Sequence, residues 1–173
     1  EIKYLTSTSY HGQKISEVYP HFSKICEIKL TNEDPVKIAK KSDLIFLALS
    51  HSESQKIIPK IIGLTKIIDL GGDFRIKNPL HFKKYYGHEH LAPKLLEKFS
   101  YGLPEINKVK GPNIANPGCF ATVCQLALFP LKNLINNVDI LAVTGSSGSG
   151  KTLSEKTHHA LRNHNIQSYK IDT

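Results

Sequence analysis

The segment Asn116-Pro117-Gly118-Cys119-Phe120-Ala121-Thr122 holds the residue types from which a covalent catalyst is built. Proline and glycine end an extended stretch, and apolar residues at helical spacing follow at once, which places Cys119 in the first turn of a helix. Unpaired backbone N–H groups and the positive end of a helix dipole favour thiolates at such positions, and Gly118 leaves room for a ligand against the main chain. A lone cysteine is more often a small buried hydrophobe. That is the expectation for Cys124, deeper in the same helix, and for Cys26 in a predicted strand.

A second pattern competes. Gly145-Ser146-Ser147-Gly148-Ser149-Gly150-Lys151-Thr152 satisfies GxxxxGK[ST], the phosphate-cradling loop of ATP-binding proteins, and follows a predicted strand. Such a loop needs a helix starting at its lysine with an apolar face against the sheet. Residues 153–164 offer only Leu153, Ala160 and Leu161 for that face, so ATP binding through residues 145–152 is the alternative reading. Glycines that leave backbone N–H groups free to face an anion serve either ligand.

Composition narrows the field. Three cysteines without a CxxC pair give neither a disulfide framework nor a zinc site, which suits a reducing, cytoplasmic setting. His158 and His159 are adjacent and point to different sides of any regular element, and His88 and His90 lie in a polar stretch; surface roles are expected for all four, and no metal. The formal net charge of +8 is spread over scattered lysines, with Lys40-Lys41 and Lys83-Lys84 the longest basic runs. No nucleic-acid partner is expected from that pattern; attraction for phosphorylated small molecules is. No apolar run approaches the roughly 18 residues of a membrane span, and no leader is expected.

The elements that must position these groups alternate. Residues 2–6 and 25–30 read as strands, and residues 32–42 as a helix opened by Asn32, Glu33, Asp34 and Pro35. Residues 43–49 form a near-continuous apolar run, the signature of a strand covered on both faces. Residues 52–62 read as a helix containing Pro59, 66–70 as a buried strand, 71–84 as a loop, 92–99 as a short helix, 113–116 as extended chain and 119–134 as a helix. Strands follow at 138–144 and 167–171. Strands alternating with helices imply a parallel sheet, so the expected fold is α/β and doubly wound.

The cysteine segment, with Leu126-Ala127-Leu128-Phe129-Pro130 after it, resembles the active-site signature of the N-acetyl-gamma-glutamyl-phosphate reductase family, with Val123 standing where that family usually has Gly or Ala. Leu5-Thr-Ser-Thr-Ser-Tyr-His-Gly12, Phe46-Leu-Ala-Leu-Ser-His51, Asp69-Leu-Gly-Gly-Asp-Phe-Arg75, Tyr101-Gly-Leu-Pro-Glu105, Thr144-Gly-Ser-Ser-Gly-Ser-Gly150 and Tyr169-Lys-Ile171 resemble the family in the same order, over nearly the whole chain. The resemblance implies an NADPH-dependent reductase of a phosphorylated amino acid in arginine biosynthesis, homo-oligomeric at full length. The reductase of carrier-linked aminoadipyl phosphate in lysine biosynthesis is the near alternative; aspartate-semialdehyde dehydrogenases share the chemistry and match less closely.

Residue by residue, it makes Cys119 the nucleophile, with Asn116 and the backbone at Gly118 as oxyanion stabilisers. Arg75 is a candidate for the substrate's phosphate or carboxylate, and Ser147 for a substrate contact. Thr6, Ser7 and Ser9 fall near the adenosine ribose, with Thr8 where arginine is frequent. Leu49 and His51 fall on the nicotinamide side, with Ser50 where proline is usual, and Gly148 is a further cofactor contact. The implied domains are a partial Rossmann-like dinucleotide-binding domain over 1–118 and the start of an α+β catalytic domain over 119–173. The family opens one βα unit earlier, with a glycine-rich pyrophosphate turn, and carries a histidine acid/base just after the segment matching residues 169–171. The chain as given is therefore expected to show little turnover.

Overall fold

The computed structural model describes residues 1–145, 148 and 158–166. The chain divides into two compact units, Glu1–Asn133 and Leu134–Thr173.

The first unit is α/β with two parallel sheets. Strand β1 (Leu5–Thr6) pairs with β2 (Leu30–Thr31), and between them lie helix α1 (Ile15–Val18) and a 3-10 turn over Pro20–Phe22. Residues 25–29, expected in a longer second strand, mostly run without ladder pairing, so Cys26 sits half-buried in irregular chain rather than in a strand. The next helix is shorter than its polar start suggested: α2 (Pro35–Ala39), with the Asp34 carboxylate accepting from Val36 N–H at 3.3 Å and Pro35 in the first turn.

The larger sheet holds β3 (Leu44–Leu47), β4 (Lys66–Asp69), β5 (Ser100–Tyr101) and β6 (Asn113–Ala115), in the order β3-β4-β6-β5 and parallel throughout. Helix α3 (Ser54–Ile61) crosses from β3 to β4 and tolerates Pro59 within it. Ile58 and Ile61 from α3 pack with Ala39, Leu47, Ile67, Phe74, Leu96, Phe99 and Ala115 in one buried cluster. The parallel architecture is the one the alternating pattern implied. The expectation that both faces of β3 are covered fails: Ile45 and Leu47 face the cluster, whereas Leu44 and Phe46 point the other way and Phe46 is 60% exposed.

Two local readings are also corrected. Residues 71–84 are not all loop, because α4 (Pro79–Tyr86) begins inside them. Asn78 caps it through its side-chain oxygen, accepting from Leu80 N–H at 2.8 Å and His81 N–H at 3.2 Å, with Pro79 at the first position. Gly87 ends it at a φ of 78°, the left-handed conformation that glycine enters at least cost. Residues 92–99 form a 3-10 helix over Pro93–Lys98, and β5, which the residue pattern did not announce, follows it.

Helix α5 (Cys119–Leu128) and a 3-10 turn over Phe129–Leu131 close the first unit. In the second, residues 138–144 form no strand; no partner ladder exists for them among the described residues, and Leu141 and Val143 are 95% and 79% exposed. A short helix α6 (His159–Arg162) follows. The expected strand at 167–171, Ser147 and the lysine of the GxxxxGK[ST] pattern lie outside the described residues. Gly148 is described, its N–H donating to Gly145 O at 3.1 Å and its α-carbon close to Thr144.

Candidate active site

Open parallel sheets bind ligands beyond the carboxyl ends of their strands. Three loops meet there.

The loop after β6 carries the nucleophile candidate. Gly118 is the residue before α5, with extended backbone (φ −73°, ψ 161°), and its carbonyl accepts from both the N–H and the hydroxyl of Thr122 at 2.9 Å. Cys119 is therefore the first residue of a ten-residue helix, and it is exposed. Cys124 is half-buried in the same helix. The Asn116 side-chain amide donates to Pro117 O at 3.1 Å, which turns it into the loop.

The loop after β4 supplies Arg75. Its Nε donates to Asn116 O at 2.7 Å and its Nη2 to Leu70 O at 2.9 Å, while Nη1 lies 3.1 Å from where a β-carbon on Gly118 would stand. Arg75 is thus tied to the cysteine turn itself and makes no surface ion pair among the described residues. Behind it two carboxyls are fully buried. Asp69 accepts from Ser54 Oγ at 2.8 Å and Gly71 N–H at 3.0 Å, and Asp73 from Ser52 N–H at 2.9 Å. The second oxygen of each has no hydrogen-bond partner among the described residues. Burial accordingly pushes the Asp69 carboxyl above its ordinary range, opposed by the Ser54 and Gly71 bonds.

The loop after β3 brings His51 to the same edge. A β-carbon on Gly72 would meet Tyr86 Oη at 2.4 Å and His51 Cε1 at 2.9 Å, so glycine is what allows these side chains to close over the main chain. Tyr86 donates to Gly72 O at 3.1 Å, and its ring lies 5.5 Å from that of His51. Burial raises the Tyr86 phenol. Leu49 packs partly against the core. Thr6, Ser7 and Ser9 stand instead at the end of β1 in the other sheet; Ser7 N–H donates to Thr31 O at 2.9 Å, and Ser7 Oγ accepts from Tyr10 N–H at 3.1 Å.

Sequence reasoning missed the polar layer that holds these loops. Ser52 adopts a φ of 72°, costly for a residue with a β-carbon, and its hydroxyl faces His88 Nε2 at 3.1 Å. His88 Nδ1 in turn donates to Glu89 O at 3.0 Å. His90 is buried, contrary to the surface role expected of it. Its Nδ1 accepts from Ala92 N–H at 3.0 Å, which leaves Nε2–H to donate to Asp73 O at 3.1 Å, with Phe74 and Phe82 edge-on to the ring. The helix-forming signals of 78–87, read as loop, were the clue that would have brought these side chains inward.

This arrangement suits only neutral imidazole, and burial lowers the His90 value below its ordinary 6.5. Above pH 6.5 neither the folded nor the unfolded chain protonates it, and its contribution to stability is complete. As pH falls below 6.5 the unfolded chain takes up a proton that the folded one refuses, so stability is lost progressively until the folded value is passed. Asp69 works with the opposite sign, which makes the comparison with a variant informative. Urea midpoints of wild type should fall from pH 7 to pH 5 more steeply than those of His90→Gln.

Adjacent parallel strands whose carboxyl-end loops carry a cysteine turn, an arginine and a histidine define a Rossmann-like domain with an exposed cysteine at its ligand edge. Residues 1–111 match the family model described as semialdehyde dehydrogenase, NAD binding domain, and residues 119–173 match semialdehyde dehydrogenase, dimerisation domain. The chain belongs to the semialdehyde dehydrogenase family. Similar proteins include an N-acetyl-gamma-glutamyl-phosphate reductase of Clostridium kluyveri, 42% identical over 99% of this chain and 52% of the relative. Others are a putative [LysW]-L-2-aminoadipate/[LysW]-L-glutamate phosphate reductase of Picrophilus torridus (41%, over 98% of this chain and 51% of the relative) and its namesake in Saccharolobus solfataricus (40%, over 99% and 51%). The chain spans about half the length of these relatives. Among the described residues no helix is long and apolar enough to cross a membrane.

Proposed function

We propose that the protein is an oxidoreductase that reduces N-acetyl-gamma-glutamyl phosphate to its semialdehyde with NADPH, through a thioester on Cys119. The observation that carries this reading is Cys119 itself: exposed, first in α5, at the carboxyl ends of β4 and β6. An acyl phosphate is an activated carboxyl group. The sulfur bonds to its carbonyl carbon, the bond from that carbon to the phosphate oxygen breaks, and inorganic phosphate leaves a thioester on the protein. The backbone N–H groups at the start of α5, with Asn116, would receive the charge that develops on the carbonyl oxygen. When the carbon–sulfur bond later breaks, the thiol is restored.

The donor groups fit a nicotinamide dinucleotide. Ser7 Oγ already accepts a hydrogen bond and keeps its O–H to donate, and Thr6 and Ser9 are exposed beside it, which suits ribose and phosphate oxygens. His51 and the main chain at Leu49 would line the nicotinamide side. Bound NADPH would supply the hydride. The family's dimerisation domain supports a homo-oligomer, and the carrier-linked aminoadipyl phosphate reductases at 40–41% identity support that acyl group as the second substrate reading.

Alkylation of the full-length protein tests the proposal. Iodoacetamide that modifies Cys119 alone, verified by peptide mass, should abolish reduction of the acyl phosphate in proportion to labelling, and prior saturation with substrate should slow the modification. Full activity with Cys119 blocked ends it. Assays with both acyl phosphates separate the two substrates.

A further inference from the structure

Asn116 N–H still donates to Asp69 O at 2.8 Å, one step beyond the ladder that pairs Asp69 with Ala115. Past that point the ladder ends: Gly71 N–H, next in register toward Asn116 O, goes instead to Asp69 Oδ1, and Leu70, whose own N–H bonds Leu47 O of β3, receives no main-chain donor at its carbonyl among the described residues. The Arg75 guanidinium serves both carbonyls, giving Nη2 to Leu70 O and Nε to Asn116 O. From this geometry we infer that Arg75 is a positioning residue: it holds the two strand ends at the spacing that presents Cys119, rather than gripping the substrate with its fork. The inference deepens the reading of Cys119 as the nucleophile and rests on it.

Two features support it. A bidentate grip on phosphate or carboxylate uses two parallel N–H bonds from the guanidinium plane, and here two of its three nitrogens are already committed to main-chain oxygens in different loops. The third nitrogen lies against Gly118, the residue directly before the sulfur-bearing one, so closely that a methyl group there would press on it at 3.1 Å. The guanidinium therefore senses, and is sensed by, the turn that aims the thiol. Lysine cannot reproduce this: one ammonium on a flexible stem lacks the planar fork that spans two fixed acceptors.

The test is steady-state kinetics of Arg75→Ala and Arg75→Lys in the full-length protein, run forward with the acyl phosphate and in reverse with the aldehyde, inorganic phosphate and oxidised cofactor. For both variants kcat should fall about 100-fold, the cost of roughly an ångström of misplacement. The KM for acyl phosphate and for inorganic phosphate should stay within about twofold, since uniform substrate binding is untouched. Millimolar guanidinium chloride should restore part of the kcat of Arg75→Ala and none of that of wild type. A KM raised tenfold or more at unchanged kcat would make Arg75 a substrate ligand and overturn the inference, as would wild-type kcat in both variants. Should Arg75→Ala fail to fold, Gly118→Ala answers the question, because it crowds the guanidinium without removing it: lowered kcat at unchanged KM is expected, and undiminished kcat refutes the coupling. If blocking Cys119 in wild type leaves reduction intact, the nucleophile reading has failed instead, whatever Arg75 does.

Discussion

Cys119→Ala in the full-length protein is expected to lower kcat/KM for acyl-phosphate reduction by on the order of 10³–10⁴-fold, about 4–5.5 kcal/mol of transition-state stabilisation, because the proposed thioester forms on this sulfur. The same change should hardly move the unfolding midpoint. Cys119 is exposed and sits at the helix start, and substitutions at such positions usually stay within about 0.5 kcal/mol. Cys124→Ala provides the contrast: half-buried one and a half turns deeper, it should leave the rate nearly intact and cost some stability. Measured side by side, the two variants separate chemistry from packing. Equal loss of activity in both would show that the helix, not the thiol, is what the reaction needs.

Phe82→Ala should have the largest effect on stability. Its side chain is fully buried beneath α4, stacked on Tyr86 at 4.6 Å and met edge-on by His88 at 5.3 Å and His90 at 4.8 Å. Truncation removes the ring and leaves a cavity that a helix fixed at both ends, by the Asn78 cap and the Gly87 turn, cannot collapse into. The expected loss is about 3–5 kcal/mol, read as a shift of the urea midpoint, and corresponds to roughly 10 °C or more in Tm for a chain of this size. Tyr86 then loses its backing against Gly72 and His51, so activity should fall with stability. Phe82→Leu, which refills much of the space, should recover most of both.

How far the residues alone reached depended on how local the cause was. Cys119, Gly118 and the helix after them were legible because a helix start is written in consecutive residues, and the parallel sheet because apolar runs alternate with polar-started helices over short distances. Pattern misled where a partner decides the outcome. Phe46 reads like a residue covered on both sides but is open on one, and residues 138–144 carry a strand's composition without a neighbour to pair with among the described residues. His90 looked like surface because its sequence neighbours are polar; Phe74 and Phe82, from two distant segments, bury it.

Sequence by itself determined the class of fold, the family and the place of the Cys119 sulfur at a helix start, since each follows from residue types in order along the chain. Only the tertiary structure decided what surrounds that sulfur. Arg75 lies 41 positions from Asn116 in the chain, and no periodicity relates them; they meet because β4 and β6 are neighbours in the sheet and their ladder ends just where two carbonyls need a donor. The buried Asp69 and Asp73, the strained Ser52 and the neutral His90 belong to the same kind of fact. Their geometry, and the protonation of Asp69 and His90, are set by desolvation and by partners brought from elsewhere in the chain, and desolvation exists only once the chain has closed around them.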